Sequence, residues 1–171
     1  MIIKLSEPDI TLKNSALTAT IGYVHKPSSC WQLNAVISSG FRSPNIDDIG
    51  RVREKSGNVT VPNIDLEPEF AYSGEIGIQK YFNNKKFRFG FHTYYTLLND
   101  YIVRDDFDLF GVSLNGDTLI YDGEEENIVA SQNGGNAYIF GYTASYLGSV
   151  SNKISTNAFV TYTKGRSFDF R

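Results

Sequence analysis

Long apolar runs are missing from this chain. No stretch approaches the roughly 18 to 20 residues that a membrane-spanning helix needs, and at −0.26 the mean hydropathy is too polar for a bundle of such helices. Cysteine is reduced to Cys30 alone, so no internal disulfide can form. No basic block stands out, and 16 Lys and Arg against 19 Asp and Glu leave a net charge of −3, which argues against a nucleic-acid partner. Met1 to Asp9 lacks the apolar centre of an export signal. Catalytic signatures are also absent: there is no Gly-x-Ser-x-Gly elbow, phosphate-binding loop or dinucleotide glycine pattern, and the paired carboxylates sit on polar loops with nothing to force them around a substrate. The chain therefore reads as a non-enzyme with no cofactor.

What is present points to strands. Eleven Tyr, 12 Phe and 15 Gly make an aromatic, glycine-rich mixture, and the apolar residues recur every second position. Leu17, Ala19, Ile21 and Tyr23 share a face, as do Trp31, Leu33, Ala35 and Ile37. So do Phe70, Tyr72, Ile76 and Ile78, then Phe87, Phe89, Phe91, Tyr95 and Leu97. Tyr138, Phe140, Tyr142 and Tyr146 form a fifth row, and Ile154, Ala158, Val160 and Tyr162 a sixth. Small or polar residues oppose each row.

The connections alternate in length. Tight turns are expected at Lys26–Ser29, Asn83–Lys85 and Ser149–Lys153. Long polar excursions follow Phe41 and Val103, and a third is expected from Lys164-Gly165-Arg166. Within the second excursion, Thr118 to Tyr121 and Ile128 to Ala130 suggest a hairpin. Short turns at one end and long loops at the other are the pattern of transmembrane barrels, whose strands need only about 9 to 11 alternating residues. Aromatics near strand ends, such as Tyr23, Trp31, Phe41, Phe70 and Phe82, suit interfacial girdles.

At the first long excursion the strand breaks at Arg42-Ser43-Pro44-Asn45. Pro44 fixes its own φ and restrains Ser43, while Asn45, Asp47 and Asp48 can bond locally to backbone. The wording Gly40-Phe41-Arg42-Ser43-Pro44-Asn45-Ile46-Asp47-Asp48-Ile49, followed by Val61-Pro62-Asn63-Ile64-Asp65-Leu66-Glu67-Pro68-Glu69, resembles the late barrel of TonB-dependent outer-membrane receptors. A "GFR(A/S)PN" strand end and an "NPDLKPE" strand start there flank one extracellular loop; Ile64 replaces the usual proline. Further likeness lies in Thr93 to Thr96, in Asn99 to Val103, and in Gln132 to Gly141.

The resemblance implies an all-β, antiparallel up-and-down transmembrane barrel segment, about six strands of a wall of about 22 around a plug domain. Residues 1–171 would be part of that barrel, with plug and remaining strands outside it and the start of the protein upstream. It implies energy-coupled uptake of a scarce nutrient, such as an iron chelate, haem, cobalamin or a glycan, across the outer membrane of a Gram-negative bacterium. Expected partners are outer-membrane lipid, the protein's own plug, the TonB energy-coupling complex and the nutrient. Glu75, Gln79, Arg88 and His92 are expected to face the lumen and touch the plug.

Other readings stay open. A soluble β-sandwich that binds carbohydrate or another ligand would pack its apolar faces together. Arg42 and Arg51 would either meet an anionic ligand or, for Arg42, pair at the rim. His25, His92 and Cys30 sit singly on separate strands, a poor set for a transition metal. The acidic clusters around Asp105 and Glu124 offer oxygen ligands suited to calcium, though neither follows the twelve-residue loop pattern.

Overall fold

The computed structural model describes residues 13–108, 118–151 and 153–168. In chain order its elements are β1 (Thr20–Ser28), β2 (Trp31–Arg42), α1 (Ile46–Ile49), β3 (Arg53–Glu54), β4 (Asn58–Thr60), β5 (Glu69–Phe82), β6 (Phe87–Asn99), β7 (Ile102–Asp106), β8 (Thr118–Tyr121), β9 (Glu124–Asn133), β10 (Asn136–Ser151) and β11 (Ile154–Ser167). The chain divides into two compact units. Residues 17–41, 70–99 and 135–171 form one, and residues 1–16, 42–69 and 100–134 form the other.

The first unit is a six-stranded sheet in the order β1-β2-β5-β6-β10-β11. Antiparallel pairing is continuous from β5 to β11. Between β2 and β5 the ends show the same sense: the Phe41 and Phe70 rings meet, tilted, at 6.0 Å at one end, and Tyr81 N–H donates to the Cys30 carbonyl (2.8 Å) at the other. Neighbouring strands therefore alternate in direction, so both connections holding the second unit leave from one end of the sheet.

Alternation and register together sort the side chains onto two faces. Ile21 lies opposite Ile37, Tyr72 opposite Leu97, and Leu97 in turn opposite Tyr138. Rings run across β6, β10 and β11 on this apolar face, with Phe89 to Tyr146 at 5.0 Å, Phe91 to Tyr142 at 6.0 Å and Tyr142 to Tyr162 at 5.3 Å. Yet the face is uncovered, with Ile21 74%, Ile76 65% and Phe91 47% exposed. This overturns the sandwich reading, which required those rows to be buried against one another.

The opposite face is small or polar. Gly141 shows why: a Cβ there would stand 2.7 Å from the Tyr94 hydroxyl, which lies over the glycine and bonds Thr163 at 2.9 Å. Pairing also extends past two expected boundaries. β1 continues through Lys26 and Pro27 to Ser28 by way of an irregularity after His25, so the turn is Ser29-Cys30. Pro27 is tolerated because it falls within that irregularity, beside the turn. β11 likewise continues through Lys164-Gly165-Arg166 to Ser167, because every one of those residues finds a partner on β10.

The long excursions are not bare loops. Their strands build a second sheet, β3-β4-β9-β7, with β8 paired to β9. Two tight hairpins shape it. Ser56-Gly57 and Asp122-Gly123 all take left-handed φ (56°, 82°, 50° and 92°), the twist that two-residue hairpins favour. The expected hairpin exists with a different partner: β8 pairs with Glu124 to Asn127, while Ile128 to Ala130 sit between β4 and β7. Val59, Val61, Ile128 and Ala130, each at most 1% exposed, form its core.

Candidate functional site

Arg42 closes β2, and its guanidinium reaches two carboxylates, Asp48 at 2.6 Å and Glu69 at 3.4 Å. It therefore pairs as one of the two sequence readings expected. Asp48 is positioned by a helix cap: Asn45 Oδ1 accepts the Asp47 and Asp48 amides (2.8 and 3.0 Å), and Asp48 Oδ2 accepts the Asn45 amide (3.0 Å). Glu69 Oε2 also accepts the Ile102 amide at 2.9 Å, which ties the start of β5 to the start of β7. With Arg42 42% exposed at its side chain, the ion pairs contribute modestly, about 0 to 1 kcal/mol each. Their value is geometric, because each fixes a chain crossing.

The second half of the motif is knitted the same way. Asn63 Oδ1 accepts the Asp65 amide (3.1 Å) in a local turn, and its Nδ2 donates to the Ser131 carbonyl (2.9 Å). Leu66 is 5% exposed, and Pro44 is buried. Asn133 completes the knot: its amide nitrogen donates to the Glu67 and Asp100 carbonyls (3.0 and 2.7 Å) while its oxygen accepts the Glu67 amide (2.9 Å). Asp48 bonds to backbone in this network as its sequence context suggested, and Asn133 lies in a stretch already singled out, whereas Ser131 joins although only its neighbours stood out in sequence. The Asn45-x-x-Asp48 spacing is the capping signal behind that local bonding. Asn133 carries no such local signal.

Of the remaining motif residues, Gly40 and Phe41 lie on β2, Asp47 in the first turn of α1, and Pro68 directly before β5. Glu75, Gln79, Arg88 and His92 share the polar face of the sheet, as their register requires. Two of them meet, His92 Nε2 lying 3.1 Å from Glu75 Oε2. Gln79 accepts from the Tyr81 hydroxyl at 3.0 Å. Arg88 lies opposite Tyr81 at the short-turn end.

On the second sheet, a cavity of about 300 Å³ is lined by Lys55, Asn58, Thr60, Arg104, Asp105, Asp106 and Val129. It offers an ammonium, a guanidinium and two aspartates to a small polar solute. Arg51 is exposed. Among the described residues no three His, Cys, Asp or Glu side chains converge on a metal position, the Asp105 and Glu124 neighbourhoods included.

One buried acid stands apart. Glu126 is 6% exposed and its Oε2 has no hydrogen-bond partner. Burial, reinforced by Glu54 and Glu124, holds its carboxyl above the ordinary glutamate range. The folded second sheet thus holds this proton more tightly than the unfolded chain does. Its stability is full below the ordinary glutamate range and falls as pH rises from there through the raised value. Glu126→Gln should remove that fall, and urea unfolding followed across mildly acidic to neutral pH would show the variant losing the slope that the parent displays.

The sequence profile described as "TonB dependent receptor-like, beta-barrel" matches residues 5–170. No curated protein sequence matches the chain. Among solved structures, the siderophore receptor PirA from Acinetobacter baumannii superposes with a TM-score of 0.65 at 20% identity, covering 85% of this chain and 22% of that one. PirA from Pseudomonas aeruginosa gives 0.63 at 16% identity, covering 88% and 25%. The FrpB iron transporter from Neisseria meningitidis gives 0.60 at 17%, covering 90% and 20%. The chain thus spans a quarter or less of the length of these structures, and the likeness is one of fold. With the profile running along nearly its whole length and the up-and-down sheet matching in three dimensions, the chain belongs to the TonB-dependent receptor-like β-barrel family.

Proposed function

We propose that residues 1–171 are part of the barrel wall of an outer-membrane receptor that imports a scarce nutrient, an iron chelate, haem, cobalamin or a glycan, with energy delivered through TonB. The observation that carries this is the six-stranded sheet with one apolar face left exposed and its strand ends joined alternately by short turns and long excursions. In hydrocarbon every backbone N–H and C=O must be paired, so the edges at β1 and β11 require further strands of the same wall. The wall contributes rigidity and ligand-contacting loops rather than chemistry. In this reading Gly40 to Asp47 and Asn63 to Glu69 hold the first extracellular loop in shape, and the cavity beside Lys55 and Arg104 presents polar groups to the nutrient. Glu75, Gln79, Arg88 and His92 line the lumen and bond to a plug domain.

Fractionation of the intact receptor provides the test. Recovery in the outer membrane, extraction only by detergent, and nutrient uptake that stops when TonB is removed support the proposal. A protein that stays in solution without detergent defeats it.

A further inference from the structure

Charge is divided along this chain in a way the barrel alone does not require. Within residues 17–41, 70–99 and 135–168, Glu75 is the one carboxylate side chain in the sequence, and it meets His92 on the polar face. The three short turns and the strand ends leading into them carry Lys26, Lys80, Lys85, Lys86 and Lys153. Within those ranges no carboxylate stands at that end to neutralise the ammonium groups.

Two of these lysines are built into a particular place. Lys80 lies on the apolar face, opposite Phe89, with its Nζ 4.6 Å from the Trp31 ring centre and 5.0 Å from that of Phe82. The stem is thus held on aromatic surface while the charge stands at the strand end, as a lysine does at a membrane interface. Lys85 lies in the following turn, where Asn83, Asn84 and Lys85 all adopt left-handed φ (47°, 53° and 68°). Asparagine tolerates that conformation, but a lysine adopts it at a cost, and such strain concentrates where it serves a function. Both lysines line one open cavity of about 760 Å³, together with Ser29, Asn83 and Asn84.

We propose that this cavity binds the phosphate headgroup of an anionic phospholipid, of the phosphatidylglycerol class, in the leaflet that the short turns face. The inference rests on the sheet being a membrane wall, in which short turns lie on the periplasmic side. Lys80 and Lys85 meet the phosphodiester, the Ser29 hydroxyl and the Asn83 and Asn84 amides bond the glycerol oxygens, and Trp31 and Phe82 pack on the first methylenes of the acyl chains. A basic pocket with aromatic flanks at the hydrocarbon boundary has the polarity profile of such a lipid from head to tail.

The test uses the intact receptor, extracted in detergent and mixed with equal phosphatidylglycerol and phosphatidylethanolamine, with bound lipid counted by native mass spectrometry. The parent should retain phosphatidylglycerol in excess. Lys80→Gln and Lys85→Asn should each lower that excess by about fivefold and together by about thirtyfold. Lys85→Asn also relieves the strained turn, so poor folding cannot mimic the result, whereas Arg53→Gln on the second sheet should change nothing. Equal retention of the two lipids by a parent that still requires detergent would overturn the headgroup site, as would an equal loss in Arg53→Gln. Displacement of the lipid by inorganic phosphate alone would show an anion site without lipid selectivity and also overturn it. A parent that stays soluble without detergent would instead overturn the membrane reading beneath it.

Discussion

Phe91→Lys should prevent assembly of the receptor, or lower its unfolding free energy in lipid by about 2 to 4 kcal/mol. Phe91 sits near the middle of β6, between Ile78 on one neighbour and Ala144 on the other, with its ring 6.0 Å from that of Tyr142. A lysine there places an ammonium at the depth where neither interface is within reach of its stem. The partner experiment is Asn157→Lys on β11, which falls on the opposite, polar face and should shift stability by about 0.5 kcal/mol or less. Urea unfolding of the refolded protein in lipid vesicles separates the two. Equal tolerance of both lysines would mean that the exposed apolar face does not meet lipid.

The second large effect is expected far from that face. Ile128→Ala should destabilise the β3-β4-β9-β7 sheet by about 2 to 5 kcal/mol, because Ile128 is fully buried in a cluster of four core residues among those described, with Phe107 packed against it. So small a core has little with which to refill the space, and the cost should lie at the upper end. Hydrogen exchange would show faster exchange at β4, β7 and β9, with β5, β6 and β10 keeping their protection. Ile120→Ala on β8, where the side chain is 73% exposed, should be nearly silent.

These two sites also mark the boundary of what sequence could reveal. The rows from Phe87 to Leu97 and from Tyr138 to Tyr146 were readable because one face of each strand is apolar and the other is not, a two-residue period visible without knowing the neighbours. β4 gave no comparable signal, and the middle of β9 only a short apolar run, Ile128 to Ala130, with no period to place its partners. Asn58–Thr60 is three residues long, and it pairs in parallel with Asn127, Ile128 and Val129, which lie on the other long excursion. Only the fold brings them together. Asp122-Gly123 was a legible hairpin signal, and it would have corrected the pairing of β8.

The motif residues divide in the same manner. Arg42 and Asn45 act on near neighbours or on the adjacent strand start, so rim pairing and local backbone bonding were readable for them, whereas Asn63 stood out only through the resemblance. Their further partners, Glu69 to Ile102 and Asn63 to Ser131, depend on the second sheet. The ends of β1 and β11 were misplaced for a related reason. Pro27 and the run Lys164-Gly165-Arg166 look like turn and loop in isolation, but strand partners already in register carry the ladder past them.

Spin labels placed one at a time along β6 in vesicles, at residues 88 to 97, test the membrane wall most directly. Accessibility to oxygen, which dissolves in lipid, should rise at residues 89, 91, 93, 95 and 97 and fall at residues 88, 90, 92, 94 and 96. A profile with no two-residue period, or one in which the odd positions are shielded from both oxygen and a water-soluble collider, would place Phe89, Phe91 and Tyr95 against protein and contradict the account.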